Sequence, residues 1–292
     1  MRVLILGGGG MLGHKLLQVL RDGFETWTTV RSLTPRLCRT NLFDHARTIT
    51  GVHGEDLDAL LSAFRRARPQ AVVNAIGIVK QRPDAHDPVQ ALRINSLLPQ
   101  QVARLCEVAG ARFIHVSTDC VFSGRTGAYV ETDQPDAEDL YGRSKLLGEV
   151  TTSGSLTLRT SMIGREIAAG SGLVEWFLGH DGPRVPGFTR ARFSGLTTLA
   201  LARVIGDVLR EQLGLSGLYH VAAQPISKFE LLQLLGAAFA RPVDVDPVDD
   251  PAIDRTLDGS RFNAATGFSP APWTDMIAEM AGDPTPYDTW RR

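Results

Sequence analysis

Short apolar runs alternate with longer amphipathic runs along the first half of the chain. Residues 2–6 are almost all apolar, and residues 11–20 place leucines on one side at helical spacing. A continuous apolar run is typical of a strand buried on both faces, as in a parallel sheet. The alternation therefore predicts the α/β class, with a doubly wound parallel sheet flanked by helices.

The same pattern predicts where the elements lie. The predicted strands are residues 2–6, 24–30, 71–75, 112–117, 156–160 and 217–221. The predicted helices are residues 11–20, 56–67, 89–109, 140–150, 197–213, 227–240 and a late one near 273–281. The pattern loosens after residue 160. We therefore expect a dinucleotide-binding domain over residues 1–160, to which residues 196–222 return, and a smaller C-terminal α/β substrate-binding domain over most of residues 161–292.

Composition and charge exclude several classes of function. Apolar residues make up 43% of the chain and charged residues 22%, as in ordinary globular proteins. The net charge of −1 gives no reason to expect a nucleic acid or an anionic membrane surface. No apolar run approaches the ~20 residues of a membrane helix. Three cysteines without metal-ligand spacing favour a reducing, cytoplasmic location and no metal site.

Glycines follow the first predicted strand and open the first predicted helix. They fall at Gly7, Gly10 and Gly13. In this context the first glycine permits a tight turn, the second lets backbone N–H groups approach a pyrophosphate, and the third lets helix and strand pack closely. The loop predicts a dinucleotide-binding Rossmann fold.

The end of the second predicted strand indicates which dinucleotide binds. An acidic residue there usually receives the free ribose 2′-hydroxyl of NAD(H). This chain has Arg31 instead, with Arg36 nearby. A guanidinium suits a 2′-phosphate, so NADP(H) is favoured over NAD(H).

Tyr141 and Lys145 are four residues apart at the head of a predicted helix, so both project from one face. A positive charge held near a phenol lowers its pKa from the usual ~10. We therefore expect Lys145 to lower the pKa of Tyr141 and to make it a general acid near neutral pH.

Together these motifs resemble those of the extended short-chain dehydrogenase/reductases. Within that group, the chain resembles the dTDP-4-dehydrorhamnose reductase family, over residues 1 to about 265. The matching segments are the glycine motif, Asn74-Ala75, Ser117-Thr118-Asp119-Cys120-Val121-Phe122, Glu131-Thr132-Asp133, Tyr141 to Glu149, Leu158-Arg159-Thr160-Ser161 and Tyr219-His220-Val221. The family reduces 4-keto-6-deoxy nucleotide sugars.

The resemblance implies a role for individual residues. Tyr141 would donate the proton, Lys145 would hold the nicotinamide ribose, and Thr118 would hydrogen-bond the substrate carbonyl. The implied cofactor-binding residues are Gly7, Gly10, Met11, Leu12, Gly13, Arg31, Asn74, Ala75, Ile76, Asn95, Tyr141 and Lys145. The expected substrate contacts are Thr118, Asp119, Val121, Arg159, Lys228, Arg255 and Arg261, with the four basic residues as candidates for the diphosphate or sugar.

The chain departs from the family pattern at two places. His53-Gly54 stands where the family often has an aspartate and an apolar residue against the adenine. Cys120 stands where the related 4,6-dehydratases carry a glutamate, so elimination of water lacks its base. We therefore expect NADPH-dependent reduction of a 4-keto-6-deoxy nucleotide sugar by a monomer or homodimer. The alternatives are a reductase or epimerase of a different nucleotide sugar, and an NADP-binding regulatory subunit without turnover.

Overall fold

In the computed structural model, the described residues are 1–80, 86–168, 170 and 172–291. Their largest sheet contains β1 (Arg2–Leu6), β2 (Glu25–Thr29), β3 (Thr48–Ile49), β4 (Ala71–Asn74), β5 (Arg112–Thr118), β6 (Ser155–Thr160) and β11 (Gly217–His220). The short strands are β7 (Met162–Ile163), β8 (Arg184–Phe188), β9 (Ala191–Phe193), β10 (Leu196–Thr197), β12 (Ile226–Ser227), β13 (Asp244–Val248) and β14 (Ile253–Asp254).

Helices cover both faces of the sheet. They are α1 (Met11–Leu20), α2 (Pro35–Cys38), α3 (Leu57–Ala67), α4 (Pro88–Ala91), α5 (Leu98–Ala109), α6 (Leu140–Leu147), α7 (Leu173–Leu178), α8 (Thr198–Glu211), α9 (Lys228–Ala238), α10 (Ser260–Thr266), α11 (Trp273–Ala281) and α12 (Tyr287–Arg291). A π-helix spans Leu92–Leu97, and a 3₁₀ turn spans Asp119–Val121. Within the described ranges, no helix has the length and apolarity needed to cross a membrane.

The large sheet has the strand order β3-β2-β1-β4-β5-β6-β11, and all its strand pairs are parallel. The order reverses between β1 and β4, which is where open α/β sheets bind ligands, outside the carboxyl ends of the strands. The predicted doubly wound α/β fold is therefore confirmed.

The apolar run of β1 is fully buried because helices lie on both sides of it. Val3 and Ile5 belong to the same apolar cluster as the leucines of α1 and the core of α8. Leu4 and Leu6 belong to a second cluster, with side chains of α3 and α5. Successive side chains of a strand point to opposite faces, so this short strand joins the two halves of the core.

The long helix predicted over residues 89–109 is interrupted. Its middle is the π-helix Leu92–Leu97, and α5 begins just before Pro99. Proline has no N–H to donate to the carbonyl four residues earlier, and its ring crowds that oxygen. Here that oxygen belongs to Asn95, so the helix widens at this residue. The predicted helical run is therefore present, but it is not one regular α-helix.

The predicted pattern after residue 240 contained one late helix, and the structure contains more elements there. β13 pairs in parallel with β8, and β14 with β9. β8 and β13 each contain a proline, which removes a backbone donor and hides the strand pattern in the sequence. These strands form because their partners are brought together by the rest of the fold.

Candidate active site

The junction of β1 and α1 leaves no room for a side chain at Gly7 or Gly13. Gly7 has a φ of +86°, and a Cβ there would lie 2.8 Å from Cγ1 of Ile76. A Cβ on Gly13 would lie 2.1 Å from the carbonyl oxygen of Gly7. Glycine at both positions lets the start of α1 lie directly against the end of β1.

The N-terminus of α1 fits the pyrophosphate of a dinucleotide. Among the residues that the structure describes, no side chain caps the helix at Gly10. The N–H groups of Met11 and Leu12 belong to the first turn, which has no intrahelical acceptors, and they form part of the positive end of the helix dipole. A Cβ on Gly10 would meet nothing nearer than 3.4 Å, so the approach is open. Such a helix end is suited to bind phosphate through its backbone.

Arg31 lies beside this loop, beyond the carboxyl end of β2. The N–H of Gly8 donates to the carbonyl oxygen of Thr29 at 3.0 Å, which ties the glycine loop to that strand end. Arg31 follows two residues later, with an exposed side chain. The structure thus places Arg31 on the same edge of the sheet as the glycine loop.

The residues after β4 form a wall next to Gly7. The side chain of Asn74 is 1% exposed, donates to Nδ1 of His115 at 3.2 Å, and accepts from the N–H of Ile76 at 3.0 Å. The carbonyl oxygen of Ala75 lies 3.3 Å from the Cβ position of Gly7. Asn74 therefore holds the turn with its side chain, while Ala75 and Ile76 border the glycine loop.

Asn95 connects two segments that border the site. Its amide exchanges two hydrogen bonds with the backbone of Ile78, at 2.9 and 3.1 Å, and donates to Oγ of Ser144 at 3.1 Å. Ser144 precedes Lys145 in α6. The buried Asn95 side chain thus positions the chain after β4 and the helix that carries Lys145.

Close packing fixes the position of α6. Asp139 caps the helix by accepting from the N–H of Gly142 at 2.7 Å. A Cβ on Gly142 would lie 2.2 Å from the carbonyl oxygen of Cys120. Only glycine lets α6 lie this close to the turn after β5, and the approach brings Tyr141 next to Thr118.

Burial raises the pKa of the Tyr141 phenol above its ordinary value, and nearby Cys120 and Asp119 act in the same direction. A hydrogen bond with the side chain of Thr118 opposes the shift. We expected Lys145 to lower the pKa of Tyr141, and this prediction is wrong because the pKa is raised in the structure. The phenol stays protonated at neutral pH, which is the form that can donate a proton.

Lys145 is buried at the carboxyl side of β5. Its ammonium donates to the carbonyl oxygen of Val116 at 2.8 Å. Burial lowers the pKa of Lys145 to about 8, and the negative charge of Glu149 opposes this shift. The ammonium is therefore charged at neutral pH but close to its titration range.

Two cations approach the Thr118-Asp119-Cys120 turn from the C-terminal part of the chain. Lys228, the first residue of α9, has its Nζ 3.6 Å from the ring centroid of Phe193. Burial lowers the pKa of Lys228 to about 8, against the attraction of Asp119. Burial raises the pKa of Asp119, and the positive charges of Lys228 and Arg255 oppose that shift. Arg255 donates from Nε to the carbonyl oxygen of Phe122 at 2.9 Å.

The residue that follows this turn packs inward. Val121 is fully buried and packs in a cluster with Phe122 and Tyr129. Its side chain therefore packs in the core, contrary to the expectation that it contacts the substrate. Burial raises the pKa of the Cys120 thiol to about 12, so no thiolate forms there at neutral pH.

Two expected substrate contacts are engaged elsewhere. Arg159 is buried and donates from Nε and Nη2 to the two carboxylate oxygens of Glu149, both at 2.8 Å. Arg261 is exposed and stacks over the ring of Tyr219 on the edge strand β11, 4.6 Å from its centroid. We therefore leave both arginines out of the proposed substrate site.

The sequence reasoning did not give a role to three residues at the site. Glu149 acts on Lys145 from the i+4 position, a spacing that could have revealed it. Ser144 accepts from Asn95, and no local pattern marks it. Phe193 lies under Lys228 from a distant strand, so only the folded chain shows it. Within the described residues, no cluster of His, Cys, Asp and Glu could hold a metal ion.

Comparison with known proteins places this arrangement in a family. The chain matches the "RmlD substrate binding domain" family over residues 1–284. It is 27% identical to a dTDP-4-dehydrorhamnose reductase of Mycobacterium tuberculosis, over 99% of this chain and 90% of that protein. It is 31% identical to the spore coat polysaccharide biosynthesis protein SpsK of Bacillus subtilis, over 70% of this chain but only 62% of that protein.

A solved structure of a similar protein supports the same family. The crystal structure of a hypothetical dTDP-4-dehydrorhamnose reductase from Sulfolobus tokodaii is 28% identical and has a TM-score of 0.78. The alignment covers 94% of this chain and 98% of that one. With the glycine loop and the Tyr141–Lys145 helix in place at the sheet edge, the match shows that the chain belongs to the RmlD substrate binding domain family.

Proposed function

We propose that this protein reduces the 4-keto group of a 4-keto-6-deoxy nucleotide sugar with NADPH. The observation that carries the proposal is the meeting of Thr118, Tyr141 and Lys145 at the carboxyl end of β5, on the sheet edge that also carries the glycine loop. Relatives with sugar-nucleotide names support the substrate class. A cytoplasmic location and a monomeric or homodimeric state stay predictions.

Each of these residues has a separate task in the proposed reaction. The nicotinamide cofactor, when bound, supplies the hydride that reaches C4. Tyr141 is kept protonated by burial and donates its proton to the oxygen that becomes an alkoxide. Thr118 hydrogen-bonds that same oxygen and orients it. A positioned acid of this kind typically contributes about 10²–10⁴ in rate.

Lys145 and the glycine loop hold the cofactor in this proposal. The ammonium of Lys145 lies next to β5 and is charged at neutral pH, so it can donate to the hydroxyls of a ribose. The N–H groups of Met11 and Leu12 receive the pyrophosphate. Arg31 meets the 2′-phosphate, which favours NADP(H).

Lys228 and Arg255 are the proposed contacts for the nucleotide-sugar diphosphate. Both bring positive charge to the turn that carries Thr118 and Asp119. Asp119 is buried in that turn, and it attracts both cations. An anionic substrate gains from two cations in a partly desolvated cleft more than it would at an exposed surface.

The reaction type can be measured directly. The protein is mixed with NADPH and a 4-keto-6-deoxy sugar nucleotide, absorbance of NADPH is followed, and the product is weighed by mass spectrometry. Reduction consumes NADPH in equal amount and gives a product two hydrogens heavier. An epimerase would turn over without net NADPH loss, a reductase of another sugar would act only on other members of a substrate panel, and a regulatory subunit would bind NADPH without turnover.

A further inference from the structure

The C-terminal tail, residues 283–291, lies along α1, the helix that follows the glycine loop. Asp283 forms a buried ion pair with Lys15. Thr285 accepts from Nζ of Lys15 at 3.2 Å and from Nε2 of Gln18 at 2.9 Å. The side chain of Tyr287, at the start of α12, is only 3% exposed. The tail is therefore an ordered part of the fold, joined to α1 by polar contacts.

One contact of the tail continues to the glycine loop. The hydroxyl of Tyr287 lies 2.8 Å from Nε2 of His14, and Nδ1 of His14 lies 2.9 Å from the carbonyl oxygen of Gly10. A carbonyl can only accept, so Nδ1 carries the proton. In the neutral ring Nε2 then accepts from the hydroxyl of Tyr287. The carbonyl of Gly10 thus sets the tautomer, and the tail helps to hold the orientation of this fully buried histidine.

This relay ends at the Gly10–Met11 peptide, and the proposed binding of the cofactor depends on that peptide. The carbonyl of Gly10 and the N–H of Met11 belong to the same planar peptide unit and point in opposite directions. The carbonyl oxygen of Gly10 also accepts from the backbone N–H of His14 at 3.1 Å. The imidazole adds a second donor, which restricts rotation of that peptide plane. Anchoring the oxygen therefore aims the N–H of Met11 out of the helix end.

Aromatic and cationic neighbours hold Tyr287 in the required position. Its ring is edge-on to that of His14, with 5.7 Å between centroids and 82° between planes. Lys15 lies 5.1 Å and Arg165 lies 4.8 Å from the centroid of the same ring. These contacts do not involve the hydroxyl, so a phenylalanine at this position would keep them.

We propose that His14 and Tyr287 are positioning residues for the dinucleotide: the C-terminal tail orients the Gly10–Met11 peptide through them for contact with the pyrophosphate. The inference rests on the proposed binding of a dinucleotide at the glycine loop and is independent of the sugar reduced. It gives the last residues of the chain an effect on a site built from the first ones.

The test compares Tyr287→Phe with Gln18→Leu. The first change removes the hydroxyl from the relay. The second breaks a bond between the same tail and the same helix, about two turns away from Gly10. Dissociation constants for NADPH and NADH are measured by titration, with kcat at saturating cofactor. We expect Tyr287→Phe to weaken the binding of NADPH and of NADH by the same factor, about three- to tenfold, because both cofactors carry the pyrophosphate. We expect kcat of Tyr287→Phe to change less than twofold. Gln18→Leu should bind both cofactors with the dissociation constants of the unchanged protein.

Hydrogen exchange provides a second measurement that needs no ligand. Amides of residues 7–14 should exchange faster in Tyr287→Phe than in Gln18→Leu. Normal binding of both cofactors by Tyr287→Phe, or an equal loss in Gln18→Leu, would overturn the proposal. A protein that binds the cofactors, shows the Tyr287 effect and reduces no sugar would sustain this inference and refute the proposed reductase.

Discussion

Replacing Arg159 by methionine distinguishes a structural ion pair from a substrate contact. The side chains of Arg159 and Glu149 are 4% and 8% exposed, and two hydrogen bonds of 2.8 Å join them. The guanidinium also lies 5.2 Å from the ring centroid of Phe122. In Arg159→Met, the buried carboxylate of Glu149 keeps the hydroxyl of Ser117 as a donor but loses the cation paired with it, with Lys145 as a remaining positive neighbour.

The expected loss of unfolding free energy follows from removing the cation that pairs with the buried carboxylate of Glu149. Breaking a buried ion pair by removing one partner typically costs about 3–5 kcal/mol. With a urea m-value of about 3 kcal/mol/M for a chain of this size, the unfolding midpoint should fall by about 1–2 M. Neutralising the partner as well, in Arg159→Met with Glu149→Leu, leaves neither charge of this pair in the core and should restore part of the loss. The recovery is incomplete because Lys145 then loses the attraction of Glu149.

The assay is urea unfolding followed by circular dichroism, together with KM for the nucleotide sugar under conditions where every variant is folded. Arg184→Met is the matched control, because it breaks the pair with Asp246 on the surface, where ion pairs contribute little. Its midpoint should hardly move. An unchanged midpoint for Arg159→Met, combined with a large rise in KM, would refute the structural role and restore the substrate contact.

Three further predictions concern the site. Tyr141→Phe should lower the reduction rate by about 10²–10⁴ at unchanged NADPH affinity; a residual rate above about a tenth of wild type contradicts the proton-donor role. Burial lowers the pKa of Lys145 from 10.5 to about 8. Between these pH values the unfolded state binds more protons than the folded state, so the free energy of unfolding should rise with pH from about 8 to 10.5. Urea midpoints across this range should rise less in Lys145→Met. NADPH should bind about tenfold more tightly than NADH, or ~1.4 kcal/mol; titration of Arg31→Asp should show the reverse order, and an unchanged order refutes the role of Arg31.

The glycine loop shows how far local sequence could go. Each reason for Gly7, Gly10 and Gly13 lies within a strand, a turn and a helix that are contiguous in the chain. The spacing of Tyr141 and Lys145 likewise follows from one helix. Backbone periodicity is a local property, so these parts of the fold and site could be predicted before any contact was known.

The electrostatics could not be predicted in this way. Lys145 next to Tyr141 suggested a lowered phenol pKa, but burial against the turn after β5 raises it. Arg159 was expected to contact the substrate because of its charge, yet its guanidinium donates to both carboxylate oxygens of Glu149. Burial and charge are sums over all neighbours in space, and most of those neighbours are distant in sequence.

The sequence by itself therefore determined the fold class, the place of the glycine loop and the helix that carries Tyr141 and Lys145. Only the tertiary structure decided which charged groups face the cleft and which pair in the core. It also decided that the tail, through Tyr287, reaches the loop that starts at Gly7. The physical reason is that a repeating pattern reports the local path of the backbone, whereas hydrogen bonds and desolvation depend on which surfaces the whole chain brings together.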